Sequence, residues 1–131
     1  MSPPQGFLPL DTLALRNALV SSVHIEPRKK ISVLVFTFGE HEQDPRAGKE
    51  YEILLVNVGG FRITSLHLPS RIQGHSLTTN SPFIDEVKRT VARDALAIDP
   101  LRLKHYQIVT DTGQIDVASE IAGALPFFTA R

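Results

Sequence analysis

The side chains in this sequence best suited to metal or acid–base chemistry are its five histidines. His24 and Glu26 stand two apart in a strand-like run and so point the same way. Glu52 and His67 would face each other if the chain reverses between them, and His75 follows on a polar stretch nearby. Imidazole and carboxylate together can hold zinc or another divalent ion. With Tyr106 added, the candidate polar cluster is His24, Glu26, Glu52, His67, His75 and Tyr106. No HxH or HExxH run accompanies them, so the sequence assigns no metal, no other cofactor and no catalytic residue. The plain reading of Glu52 with His67 is a rim ion pair worth under about 1 kcal/mol.

Other constellations carry less. Asp111 and Asp116 bracket a turn and resemble paired carboxylates, but aspartate at a turn usually bonds its own backbone. Ser76, His75 and Asp85 supply the residue types of a triad without a G-x-S-x-G elbow. Gly59-Gly60-Phe61-Arg62 does not lead into a helix, as a phosphate-binding loop must. Phe36, Phe38, Phe61 and Phe83 read as core, because basic residues do not interleave with them. Arg28, Lys29 and Lys30 read as a solvated turn.

The elements that must position these residues are mainly strands. Tyr51–Val58 and Phe61–Leu68 are rich in apolar, β-branched and aromatic residues. Gly59-Gly60 between them predicts a two-residue hairpin turn, setting Val56 against Ile63 and Glu52 against His67. The rival is one continuous strand bulged at the glycines; the hairpin is the favoured reading, because paired glycines weaken a strand. Alternation from Leu13 to Ile25 predicts a long first strand. A four-residue turn at 27–30 would return it into Ile31–Phe38, with Val23 opposite Leu34.

Residues 39–48 and 70–80 lack apolar periodicity and read as surface loops. Ser81-Pro82 marks a helix start, with Ile84, Val87, Val91 and Ala95 as its apolar stripe and Asp99-Pro100 as its stop. A helix near 82–96 is expected. Leu103–Thr110 and Gln114–Ser119 form a last hairpin, whose apolar pattern demands an even-numbered loop. That loop pairs Ile108 with Val117. The tail from Ile121 docks as short strand or coil. The expected fold is thus mainly β (α+β): an antiparallel sheet of about six strands, curled or sandwich-like, with one packed helix. Residues 1–10 read as a flexible leader and 11–131 as a single domain.

Composition narrows the classes further. Lysine plus arginine equals aspartate plus glutamate at 14 each, so the basic excess that phosphate backbones select is missing and nucleic acid is not an expected partner. With no cysteine, thiolate catalysis, disulfides and Cys-based zinc sites are excluded. No signal-peptide pattern and no membrane-length apolar run is visible, which makes the cytoplasm the expected compartment.

Three features resemble a known group: a long alternating first strand ending in a charged turn, the central YEILLVNVGGFRI, and HYQIVTDTGQIDVASE near the end. Together they resemble small bacterial β-rich proteins of uncharacterised function, some of them immunity proteins that bind and neutralise a toxin. The resemblance implies a protein partner and carries over no functional residue. The leading expectation is therefore a non-catalytic protein-binding module, of immunity type, using a sheet face or edge with the stretches 39–50 and 70–80. The alternatives are a small-molecule-binding or enzymatic domain with a His/Glu-lined pocket, and a homodimer paired through an exposed edge. A closed concavity with convergent polar groups would favour the pocket; an exposed apolar patch would favour a partner.

Overall fold

The computed structural model describes residues 7–10, 13, 15–27, 29–37, 50–94 and 97–126. Among them are six antiparallel strands: β1 Leu19–Glu26, β2 Lys30–Phe36, β3 Glu50–Thr64, β4 Ser70–Thr78, β5 Lys104–Thr110 and β6 Gln114–Pro126. They close into a barrel in the order β1-β2-β3-β6-β5-β4. The helix α1, Pro82–Arg93, lies outside it. The mainly β, one-helix architecture is as the sequence predicts, with the curl carried through to closure. The closing seam is short: β1 and β4 pair at Leu19↔Arg71 and Val20↔Ser70, and Ile72 exchanges backbone bonds with Asn17 and Ala18 just before β1.

Inward-facing aliphatics fill the barrel, among them Val33, Ile53, Leu55, Ile108 and Val117, each essentially without solvent contact. Their alternation with outward residues is the period-2 signature of strands covered on one face. A second cluster sits between the barrel wall and α1, where Val87 and Val91 meet Leu103 and Ala118. Burying each such aliphatic stabilises the chain by about 1.5–3 kcal/mol. The helix begins where Ser81-Pro82 predicts, and Ser81 Oγ accepts from the Ile84 amide at 3.1 Å.

The end of α1 differs from expectation. It stops at Arg93, and Asp99-Pro100 instead opens a 3₁₀ turn, Pro100–Arg102, with Asp99 Oδ1 accepting from the Leu101 amide. Residues 95–96 lie outside the described residues.

The largest correction concerns Gly59-Gly60. They do not reverse the chain: β3 runs straight through them and pairs with β6 from Tyr51↔Pro126 to Thr64↔Gln114, with a bulge between Val58 and Gly60. Asn57, at φ 56°, takes the left-handed conformation at the irregularity, and the glycines serve another end. A Cβ at Gly59 would come within 3.0 Å of Val91 Cγ2, and one at Gly60 within 3.0 Å of Val87 Cγ2. The pair lets α1 lie against β3. Turn glycines and close-approach glycines are identical in sequence, so only the packed helix separates the two readings.

Three smaller corrections follow. Residues 70–80 contain β4, whose outward Arg71, Gln73 and Ser76 and irregularity near Gly74 hide the alternation. The first strand starts at Leu19, since Asn17 (φ 70°) breaks the extended run before it. The β1–β2 connection has one residue fewer than predicted, because Lys30 already pairs with Glu26. That register sets Val23 opposite Val33 and Ile25 opposite Ile31, apolar against apolar, whereas the expected Leu34 lies opposite Ser22.

In the last hairpin Ile108 faces Ile115 and not Val117. The slip is two residues, so the even-loop argument still puts every side chain on its predicted face. The tail is more ordered than expected, since β6 extends to Pro126. The 39–48 stretch and Phe38 lie outside the described residues.

Candidate functional site: a strand edge and a buried relay

The six predicted cluster residues are not brought together. His24 and Glu26 share a face of β1 with 3.8 Å between Nε2 and Oε1, but the His24 side chain is 71% exposed. Glu52 does not meet His67; it accepts from the Ser32 hydroxyl at 2.8 Å across the β2–β3 ladder. His67 lies beyond β3, where its amide and carbonyl bond Thr112 Oγ1. His75 and Tyr106 are hydrogen-bonded: the phenol oxygen is 3.0 Å from Nδ1, and Nε2 is 2.9 Å from the Leu13 carbonyl. Burial pushes the Tyr106 hydroxyl well above the usual phenol range, which keeps it neutral. Among the described residues no group of three or more His, Asp or Glu is placed to hold a metal ion. Ser76 and Asp85, the other members of the paper triad, are exposed on separate elements.

Two features that sequence reasoning did not find stand out instead. The first is an edge. β2 ends at Lys30, opposite Val56, and the Lys29 carbonyl accepts from the Asn57 amide at 2.7 Å as the hairpin turns away. The Val58 amide also reaches that carbonyl, at 3.4 Å; beyond it, among the described residues, β3 59–64 is paired with β6 alone. Phe61 and Ile63 share a face with the sealed Val117 and Ile115, yet they are 41% and 36% exposed. Two shallow depressions of about 260 Å³ flank this stretch, one beside Pro27 and Gly59, the other between Arg62 and the α1 residues Phe83, Glu86 and Thr90. None of the six predicted residues lines either.

The second feature is a relay behind α1. Ser81 Oγ lies 2.9 Å from His105 Nδ1, and His105 Nε2 lies 2.7 Å from Asp116 Oδ1. Asp116 is wholly buried and also accepts from Gln107 at 3.1 Å and Gln114 at 2.8 Å. Burial on its own would raise the Asp116 pKa; hydrogen bonds from Gln114, His105 and Gln107 outweigh it and hold the carboxyl below the usual range. Arg62 reaches to 3.6 Å from the other carboxylate oxygen and lies over the Phe83 ring, 5.3 Å from its centroid. Phe83 in turn covers His105 at 4.6 Å between ring centroids. The network pins the start of α1 to the β5–β6 wall, and it orients a hydroxyl on an imidazole.

Part of this was legible. Any even-numbered loop in the last hairpin places His105, Gln107 and Asp116 on one face. Ser81 enters only through the docking of α1, 24 residues from His105 in the chain.

Comparison of the chain with protein-family models, with curated proteins and with solved structures returns no match. Among the described residues, the fold is a closed six-stranded antiparallel barrel with one outer helix and a strand, β3, whose last part is paired on one side. No helix among the described residues is long and apolar enough to cross a membrane.

Proposed function

We propose that this chain is a cytoplasmic, non-catalytic protein-binding module that receives an extended segment of another protein along β3 59–64. The observation behind this reading is the combination found there: backbone paired on one side only, with Phe61 and Ile63 left exposed on the inward face. An added strand would gain main-chain hydrogen bonds, and its alternate side chains would cover those two residues. A toxin would be one such partner, the immunity-type case. The polar cluster around His24 and Glu52 plays no part, because its members are dispersed. The stretch 70–80 contributes a strand of the barrel and not a binding loop.

Site-specific photo-crosslinking tests the proposal. A benzoylphenylalanine replacing Phe61 in the source cell should join the chain to one discrete heterologous protein, while the same group at the exposed Leu101 should not. Absence of any adduct at 61, or the same products from both positions, would refute it. An adduct of twice the chain mass would replace it with the homodimer reading.

A further inference from the structure

Ser81, His105 and Asp116 form an unbroken line of hydrogen bonds running from a half-buried hydroxyl to a wholly buried carboxylate. We propose that Ser81 is an activated serine able to accept acyl or phosphonyl groups from small electrophiles, with carboxylic esters as the substrate class. The proposal does not depend on the β3 edge; it leaves the docking role as stated and replaces only the non-catalytic part of that reading.

The acceptors fix the tautomer. An ionised carboxylate offers no proton, so the 2.7 Å contact places one on His105 Nε2. With the ring in its neutral form Nδ1 is then a bare acceptor for the Ser81 hydroxyl proton, the arrangement a general base requires. Gln107 and Gln114 occupy both oxygens of Asp116, so the carboxylate keeps its orientation toward the imidazole. Ser81 Oγ also accepts from the Ile84 amide at the start of α1, where the helix dipole favours developing negative charge. Nucleophile, base and orienting carboxylate thus stand in series, each in hydrogen-bond reach of the next, and the nucleophile is the outermost of the three.

The reaction balances without any other reagent. As Ser81 Oγ bonds to the acyl carbon, its proton passes to His105 Nδ1, and Asp116 stabilises the imidazolium. The C–O bond to the alcohol breaks, and the alcohol leaves with that proton. Water then enters by the same route and releases the acid. With a fluorophosphonate the O–P bond forms, fluoride leaves as hydrogen fluoride, and the adduct stays.

The test uses the full chain with a fluorophosphonate probe, followed by peptide mass spectrometry. The expected result is one adduct, on Ser81. It should be absent in Ser81→Asn, which keeps an N-cap acceptor and therefore the helix, as circular dichroism and an unchanged melting temperature would confirm. In folded Asp116→Asn the labelling rate should fall at least tenfold. An unlabelled Ser81 in the native protein would overturn the proposal, as would equal labelling of native and urea-unfolded chains; Ser81 would then be a helix cap only. The native-protein result decides the matter even if Asp116→Asn does not fold.

Discussion

Ile63 and Ile115 are ladder partners on the inward face of β3 and β6, yet Ile115 is 1% exposed and Ile63 36%. The same side chain at paired positions meets two environments because the β2 ladder stops at Lys30 and, among the described residues, leaves β3 paired only with β6 beyond Val58. Their truncations should differ accordingly. Ile115→Ala should cost about 2–5 kcal/mol, and Ile63→Ala less than about 1 kcal/mol, by urea unfolding. Equal losses would mean that the edge is covered.

The glycine pair gives a second prediction. Gly59→Ala and Gly60→Ala place a Cβ 3.0 Å from valine methyls of α1, so either should cost about 1–3 kcal/mol through overpacking. Val87→Ala should relieve Gly60→Ala, since Val87 supplies all three of its nearest atoms. A turn at Gly59-Gly60 would predict no such rescue. Gly113→Ala should be worse, because its Cβ would collide with the Thr64 carbonyl and the Leu66 amide, which are backbone and cannot move aside.

Acid stability should report Asp116. Its folded pKa is depressed, so its contribution is complete above the unfolded value, about 4, and is lost as pH falls through the folded value below that. Asp116→Asn should flatten the stability profile below about pH 4, measured by chemical denaturation across pH. Asp116→Ala, which strands His105 and both glutamines, should cost about 3–5 kcal/mol at neutral pH.

Tyr106 predicts the alkaline behaviour. Its folded pKa is raised, so the stability it adds is complete below the unfolded value, about 10, and declines as pH rises above it. In a spectrophotometric titration of this two-tyrosine chain, the phenolate signal of Tyr106 should emerge only with unfolding. Tyr106→Phe leaves His75 Nδ1 without its hydroxyl partner and should cost about 1 kcal/mol.

Local chemistry carried most of the fold in the sequence. Alternation marked the strands, Ser81-Pro82 marked the helix, and the apolar parity of 103–119 put both faces of the last hairpin right despite a two-residue slip. Non-local relations were misread or missed. Gly59-Gly60 looked like a turn because the helix that needs their missing Cβ atoms comes more than twenty residues later. β4 looked like a loop because its outward face is polar. The histidines drew attention by type alone, whereas His105 acquires its partners from the last strand and the helix cap.

Native-state amide exchange of the free chain probes the half-paired strand directly. Along 59–64 every second amide should exchange quickly, those turned from β6, while Ile53 and Leu55, with β2 on one side and β6 on the other, stay protected throughout. Protection running unbroken from 53 to 64 in the monomer would show that the edge is already occupied. The docking role would then be wrong.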